Sequence, residues 1–211
     1  MGVSAADVIA FFERFLATIE REQARLDRLD AVAGDGDHGA TMVIGLRAVV
    51  GALPADSDAA PAELLRVAAR RFASVGGSTG PLWGTAILSA AQSLDGNPSP
   101  DLRAMAAAVA AASDGVARRG ECSEGDKTML DVMAPVARAL GEAADADLET
   151  TQAVSAAQEA AAAGLARTLH LSPRRGRAER AADRSRGHAD AGASSVLLAV
   201  DVVAELVAAK R

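Results

Sequence analysis

Three aspartates lie close together in a short glycine-rich segment near the N-terminus. Asp30, Asp35 and Asp37 surround the turn Gly34–Gly39. Three negative charges in one turn repel each other unless a cation is present. Carboxylate oxygens suit magnesium, calcium or manganese. The pattern therefore predicts a divalent cation site, and the alternative is an exposed acidic turn that only caps the next helix.

Three familiar loop patterns do not explain this segment. The glycine spacing in Gly34–Gly39 satisfies a Rossmann fingerprint, but that motif needs a preceding strand, and the residues before it have a charged helical pattern. An EF-hand counted from Asp35 would need a glutamate where Leu46 stands. A Walker A loop is excluded because neither Lys127 nor Lys210 directly follows a glycine. What remains is a magnesium ion bound by carboxylates, with substrate phosphates as its other ligands.

A second loop, Gly76–Pro81, joins glycines to two hydroxyl side chains just before a predicted helix. Free backbone N–H groups at a helix N-terminus form an anion site. Ser78 and Thr79 would add hydroxyl donors to it. Taken alone, this loop is equally compatible with a plain helix connector.

Two further loops carry side chains suited to a nucleotide. Met129 offers an apolar shelf for adenine, while Asp126 could equally be only the cap of the following helix. The stretch 174–192 is rich in arginines, whose forked guanidinium groups fit phosphate. Its alternative is a solvated charged loop. The segment Asp190–Gly192 directly precedes the last helix and would close over the base or ribose.

The elements that must position these loops are helices. Half of the residues are hydrophobic but only 2% are aromatic, and the apolar mass is largely alanine, leucine and valine. Alanine is the best helix former, so the composition favours helices packed on small side chains. About eight helices and no convincing strand are predicted. The first runs from a cap at Ser4 to about Leu29, the second covers His38–Val50, the third runs from Pro61 to before Gly76, the fourth opens at Pro81, the fifth opens at Pro100 with Ser99 as its cap, and the last three cover Lys127–Leu140, Leu148–Leu169 and Ala193–Ala209. In the last helix the residues expected to be buried are Val196, Leu197, Val200, Val203 and Leu206.

In an up-and-down helical array alternate loops lie at the same end. The loops 30–41, 76–81, 120–128 and 171–192 follow the first, third, fifth and seventh predicted helices. They are therefore expected to share one end and to assemble one site. No repeat or linker divides the chain, so residues 1–211 are expected to form a single domain.

Charge and composition exclude several classes of function. The net charge is -6 and the pI is about 5.1, which argues against a general nucleic-acid or anionic-membrane binder. The lone Cys122 cannot form an internal disulfide and favours a reducing compartment. The N-terminus lacks signal-peptide features, and no apolar run is expected to span a bilayer. A cytoplasmic location is expected.

Taken together and in order, the four loops resemble the nucleotide-binding L subunit or L domain of dihydroxyacetone kinases. The segments that carry this resemblance are Leu29-Asp30 with Gly34–Gly39, Val75–Leu82 with Gly84-Thr85, Gly125–Met129 with Asp131, and Arg175-Gly176-Arg177 with Arg184-Ser185, Gly187-His188, Asp190 and Gly192. The resemblance covers essentially the whole chain. It implies an eight-helix antiparallel barrel with the nucleotide at one end.

The resemblance also implies residue roles. Asp30, Asp35 and Asp37 would hold two magnesium ions next to ADP or ATP. The phosphates and sugar would meet His38, Gly39, Ala40, Thr41, Ser78 and Thr79. The rest of the nucleotide would be enclosed by Gly120, Met129, Arg177, Asp190, Ala191 and Gly192. The ketose would sit on a histidine of a separate K subunit, and the phosphoryl group would come from exchanging ATP or from a phosphotransferase-system protein that recharges a bound ADP.

Some residues depart from the family pattern, and other functions stay open. Arg180-Ala181-Ala182 replaces a Tyr-Leu-Gly-like run, Arg186 replaces an apolar residue, and Ala191 replaces a common proline. These changes leave the metal site intact but bear on the partner and the sugar. The alternatives are a kinase for another ketose such as erythrulose or for a fatty acid, a nucleotide-loaded partner of a transcription factor, and a plain metal-binding protein.

Overall fold

The computed structural model describes residues 2–174 and 182–210, and that part of the chain is helical without a strand. The predicted all-α class with eight main helices is confirmed, and one short helix, α8, is added. The helices are α1 Ala5–Ala31, α2 His38–Val50, α3 Pro61–Ala73, α4 Thr79–Ser93, α5 Leu102–Gly120, α6 Leu130–Asp145, α7 Thr150–Thr168, α8 Ala182–Ser185 and α9 Ala191–Ala208.

The long helices form a closed ring. Each helix from α1 to α6 packs against the next one in sequence, α7 packs against α9, and α9 returns to α1. Short connections between packed neighbours make their directions alternate. The implied up-and-down barrel is therefore confirmed. Helices α1, α3, α5 and α7 end at the same end of the barrel where α2, α4, α6 and α9 begin.

Inside the ring, the few aromatic side chains gather in one cluster. The ring centroid of Trp83 lies 5.6 Å from that of Phe15 and 5.9 Å from that of Phe72. Phe12 completes the group of fully buried phenylalanines. Burying each such ring contributes about 2–3 kcal/mol. Gly45 on α2 lets α3 approach closely, because a Cβ there would lie 2.9 Å from the ring of Phe72.

Helix starts agree with the sequence at α1 and differ at α4 and α5. Ser4 and Asp7 form the expected capping box of α1. Helix α5 begins at Leu102, and its cap is Asp101, whose carboxylate accepts the N–H of Ala104 at 2.9 Å. The prediction that Ser99 caps this helix is wrong because Asp101 supplies the acceptor. Helix α4 begins two residues before Pro81, which is tolerated because a first-turn N–H has no partner within the helix.

The predicted buried face of the last helix is confirmed except at Val203. Leu197, Val200 and Leu206 are partly buried and pack against the core. Val196 and Val202 are buried, whereas Val203 is 38% exposed. Helix α9 packs on both α1 and α7, and the surface that it buries against them includes Val202 but not Val203. The expectation that no apolar run could span a bilayer is also wrong by length and composition, since α9 passes that test among the described residues. One such helix is weak evidence, because core helices pass the same test.

Candidate functional site

The four loops meet around one cavity of about 860 Å³ at the end of the barrel. This volume lies in the usual range for a small-molecule site. The N-termini of α2, α4, α6 and α9 converge on it, and the residue that precedes each helix lines its wall: Asp37, Ser78, Met129 and Asp190. Helix N-termini carry partial positive charge and N–H donors. Four of them facing one cavity favour a polyanionic ligand.

The three predicted aspartates form a cluster at this cavity. Asp30, Asp35 and Asp37 each offer a carboxylate oxygen, and these oxygens lie within 4.8 Å of one another. Asp30 is half-buried at the end of α1, and the other two are exposed. Such a set of oxygen ligands fits a hard divalent cation such as magnesium.

Backbone donors fix the position of Asp30. Its Oδ2 accepts the N–H groups of Gly36 at 2.8 Å and of Asp37 at 3.1 Å. The turn is folded tightly against this carboxylate, since a Cβ on Gly34 would lie 2.9 Å from its Cγ. Asp37 makes no side-chain cap bond to α2. The alternative that this turn only caps the helix therefore has no support at Asp37.

His38 connects three helices at the floor of the cavity. Its ring is buried, its Nε2 lies 3.1 Å from Oγ of Ser195 on α9, and its Nδ1 lies 3.3 Å from Oγ1 of Thr79 on α4. Burial lowers the pKa of His38, although Asp30 and Asp27 oppose the shift. The neutral imidazole therefore has one donor and one acceptor nitrogen.

These contacts determine which groups around His38 donate and which accept a hydrogen bond. Ser195 donates its only proton to the carbonyl of Gly192 at 2.8 Å, so its oxygen must accept from Nε2 of His38. Nδ1 is then the acceptor, and Thr79 donates to it. Thr79 is left with lone pairs for any other contact. Ser78 is exposed at the N-terminus of α4 and its side chain makes no cap bond, so its hydroxyl is available to donate to a phosphate.

Two predicted contact residues, Gly39 and Ala40, do not line the cavity. Gly39 lies against the backbone of α1, where a Cβ would clash with the carbonyl oxygen of Gln23. The N–H of Ala40 donates to Oδ1 of Asp27 at 3.1 Å. These residues dock the start of α2 onto α1, and their role in the site is to hold that start in place.

The loop between α5 and α6 is organised by a buried aspartate that the sequence did not single out as functional. Oδ1 of Asp131 accepts the N–H of Gly125 at 2.6 Å, and its Oδ2 accepts the N–H of Thr128 at 2.7 Å. Because these bonds hold a turn, α6 begins at Leu130 and not at Lys127. Asp126 does not cap α6, and its Oδ2 accepts the N–H of Ser123.

The start of α9 closes the cavity on the side of Met129. Asp190 caps the helix by accepting the N–H of Ala193 at 2.7 Å. Heavy atoms surround its carboxyl group densely, and this burial raises its pKa to about 6, with Asp131 and Asp30 adding to the shift. Gly192 lies next to Met129, whose Cβ would be 3.4 Å from a Cβ added at the glycine.

Most of the predicted site residues therefore come together. Lining the cavity are Asp30, Asp35, Asp37, His38, Thr41, Ser78, Thr79, Gly120, Met129, Asp190, Ala191 and Gly192. Arg177, Arg180 and Ala181 lie outside the described residues. Cys122 also lines the wall, but it is buried, and burial raises the pKa of its thiol, so it is a poor nucleophile. The reasoning from sequence missed Lys127 and Ser195, whose contacts join segments far apart in the chain.

Comparison with known proteins agrees with this geometry. The chain matches the family model of the DAK2 domain over residues 32–205. It is 35% identical over 205 residues to the ADP-binding subunit DhaL of the PEP-dependent dihydroxyacetone kinase of Escherichia coli K12, covering 97% of this chain and 98% of that one. It is 36% identical to the D-erythrulose kinase of Mycolicibacterium smegmatis, covering 98% of this chain but 36% of that protein.

Solved structures lead to the same family. The dihydroxyacetone kinase of C. freundii in its native form superposes with a TM-score of 0.74 at 27% identity, covering 94% of this chain and 34% of that one. Its complex with AMP-PNP and Mg²⁺ gives a TM-score of 0.73 at 26% identity, covering 98% of this chain and 35% of that one. The chain belongs to the DAK2 domain family. The predicted resemblance to the L subunits of dihydroxyacetone kinases is confirmed, and so, at the level of the family, is the prediction of a kinase subunit.

Proposed function

We propose that this chain is the nucleotide- and magnesium-binding L subunit of a dihydroxyacetone-type kinase. A phosphoryl group passes from its bound nucleotide to a small ketose held by a separate K-type subunit. Residues 1–211 act as one nucleotide-binding domain. The observation that carries the proposal is the aspartate cluster, whose three carboxylates meet at a cavity faced by four helix N-termini.

The charges of the cavity fit a magnesium nucleotide. Phosphates alone would be repelled by Asp30, Asp35 and Asp37, and helix N-termini alone would not hold the carboxylates together. Magnesium bound by these carboxylates would neutralise phosphate charge during transfer. The chain's own residues position the phosphates, with Ser78 as hydroxyl donor and the first turn of α4 as backbone donor. The apolar side of Met129 suits the adenine ring.

The proposed source of the phosphoryl group is a phosphotransferase-system protein that recharges ADP kept in the cavity. The E. coli relative that supports this choice is named as a PEP-dependent kinase subunit that binds ADP. ATP exchanging freely is the competing source. The two differ in resting state, because a retained cofactor copurifies with the chain and an exchanging substrate does not.

The K-type partner is expected to dock at the end of the barrel that holds the cavity. Exposed arginines surround this end where the odd-numbered helices finish: Arg28, Arg70, Arg71, Arg118 and Arg119. Among the described residues none of these five forms an ion pair, whereas Arg14, Arg47 and Arg66 are paired elsewhere on the barrel. Unpaired cations around a site attract an anionic surface and raise its association rate.

A second candidate substrate is erythrulose. The D-erythrulose kinase of M. smegmatis is as similar to this chain as the E. coli subunit is. In the proposed assembly the ketose lies on the K-type partner, so the residues described here do not choose between the two sugars. Activity with each ketose, measured after reconstitution with the K-type partner, distinguishes them.

Native mass spectrometry of the purified chain, before and after chelation with EDTA, tests the metal–nucleotide site. A mass excess that equals ADP plus magnesium is expected, and EDTA should remove it. Asp35→Asn should lack it, while Asp56→Asn, an exposed aspartate of the α2–α3 connection, should keep it. A bare mass that stays bare with ADP or ATP and magnesium would refute the nucleotide assignment. Retained ADP supports the phosphotransferase source, and magnesium-dependent ATP binding without retained ADP supports exchange.

A further inference from the structure

Lys127 is an unusual residue in both conformation and surroundings. It is only 4% exposed, and its backbone lies in the left-handed region at φ 60°. A non-glycine residue there costs about 1 kcal/mol and persists only where the surrounding contacts enforce it. Of the 22 lysine and arginine residues in the chain, only Lys127 and Lys210 are lysines.

The ammonium group of Lys127 joins two distant parts of the chain. Nζ donates to the carbonyl of Leu171 at 3.2 Å and to the carbonyl of Ser185 at 2.6 Å. Leu171 lies three residues after the end of α7, and Ser185 is the last residue of α8, six residues before α9 begins. The two carbonyls therefore mark the two ends of the connection that leads from α7 to the last part of the cavity wall.

Other contacts aim the lysine at these carbonyls. Asp131 fixes the backbone on both sides of it through the N–H groups of Gly125 and Thr128. The backbone N–H of Arg174 donates to the carbonyl of Asp126, the residue before the lysine, at 3.1 Å. Asp190 adds electrostatic attraction that opposes the lowering of the pKa of Lys127 by burial. The strained conformation is thus enforced from both sides.

A lysine suits this position better than an arginine. Its ammonium is a compact charge with three donors in different directions, whereas a guanidinium presents its donors in one plane. Two backbone carbonyls approaching from separate segments fit the directions of an ammonium's donors.

We propose that Lys127 is a positioning residue that fastens both ends of the α7–α9 connection to the α5–α6 loop and thereby sets the rate at which nucleotide leaves the cavity. Ser185, His188, Asp190 and Gly192 all line the wall on this side. Lys127 adds to the bonds that keep them next to Met129, which include those from the N–H of Gly187 to the carbonyl of Leu169 at 2.9 Å and from the N–H of Asp190 to Oγ1 of Thr168 at 3.2 Å. This inference rests on the proposed nucleotide function.

The first experiment uses the unmodified protein without nucleotide. The chain is treated briefly with an acetylating reagent, and the rates at Lys127 and Lys210 are compared by peptide mass spectrometry. Lys210 is the internal control, because it is 42% exposed and pairs with Asp7 at the far end of α1. Lys127 is expected to react at least about tenfold more slowly, since reaction requires local opening. Equal rates would overturn the anchor.

The second experiment measures release of ADP with magnesium from Lys127→Met and from the matched control Lys210→Met. Trp83 is the only tryptophan, the chain has no tyrosine, and Trp83 lines the cavity, so its fluorescence reports binding directly. A hydrogen bond from a charged donor corresponds to about tenfold or more in rate. Lys127→Met is expected to raise the dissociation rate by that factor with little change in the association rate, and Lys210→Met to change neither.

A chemical rescue separates positioning from general destabilisation. Lys127→Cys in a Cys122→Ala background is alkylated with bromoethylamine in denaturant and refolded, which restores an ammonium at nearly the original length. Slow release should return with the ammonium and stay absent in the unalkylated protein. Fast release after alkylation, or an unchanged rate in Lys127→Met, refutes the proposal. Failure of the wild-type chain to bind ADP with magnesium refutes the proposed function instead, and the labelling result still reports on the anchor.

Discussion

Replacing Gly34 by alanine should disrupt the metal site without touching a ligand. A Cβ at this position would clash with Oδ1 of Asp30 and would lie 2.9 Å from its Cγ and 3.0 Å from its Oδ2. The backbone of Gly34 is not in the left-handed region, so alanine is not strained by its own conformation. The carboxylate must therefore move, and the N–H groups of Gly36 and Asp37 lose their acceptor.

The size of the effect follows from those two hydrogen bonds. A bond to a charged acceptor contributes about 1.5–3 kcal/mol. The displaced carboxylate must return against the clash to bind a cation, or the cation must bind with one ligand fewer. If one such bond is the net loss, magnesium-dependent ADP binding should weaken by about ten- to a hundredfold.

Calorimetry and Trp83 fluorescence should be used to measure ADP binding over a range of magnesium concentrations. Gly76→Ala is the matched control, because Gly76 lines the same cavity and an added Cβ would meet nothing within 4 Å. Its affinity is expected to equal that of the wild type. Equal affinities for Gly34→Ala and Gly76→Ala, with the helical circular dichroism intact, would show that Asp30 is not a ligand held by this turn.

Three other predictions concern Asp190, the aromatic core and the exposed arginines at the cavity end of the barrel. Asp190 has a pKa raised to about 6 in the folded protein, so the stability it contributes is complete below about pH 4 and is lost as pH rises through 6. In denaturant unfolding without metal, the free energy of unfolding of the wild type should fall by up to about 3 kcal/mol over this pH window relative to Asp190→Asn, which keeps the helix cap. If the unfolding free energies of the two proteins change in parallel with pH, the raised pKa is contradicted. Phe15→Ala should cost about 3–5 kcal/mol in urea unfolding and clearly more than Phe11→Ala, which lies at the edge of the same cluster; equal costs would contradict the packing. Arg118→Glu should weaken capture of a purified K-type subunit, most strongly at low salt, whereas Arg14→Glu should not; unchanged capture would argue against docking through the exposed arginines at the cavity end.

Much of the architecture was available in the sequence because local signals and global packing agree. Alanine-rich helical segments, the capping box at Ser4 and the alternation of plain and unusual loops predict an up-and-down array with one functional end. The aspartate turn was also readable, since Asp30, Asp35 and Asp37 are close in the chain and little tertiary structure is needed to bring them together. Local chemistry was sufficient wherever the interacting residues were neighbours in sequence.

The errors occur where another residue, near or far in the chain, competes for a local group. Asp126 looks like a helix cap, but the bonds of Asp131 hold the preceding loop in a turn and delay α6. Ala40 looks like a phosphate contact, but Asp27 on α1 takes its N–H. The buried face of α9 depends on two neighbouring helices, so Val202 replaces Val203 inside. No local pattern reports such competition.

The sequence by itself determined the helical class, the four loops and the carboxylates that suit a cation, because composition, capping and charge spacing are local properties of the chain. Only the tertiary structure decided that four helix N-termini face one cavity. It also decided that His38 sits between Thr79 and Ser195, and that Lys127 reaches two carbonyls from separate segments. Those contacts depend on closing the ring of helices, which brings residues far apart in sequence within hydrogen-bonding distance.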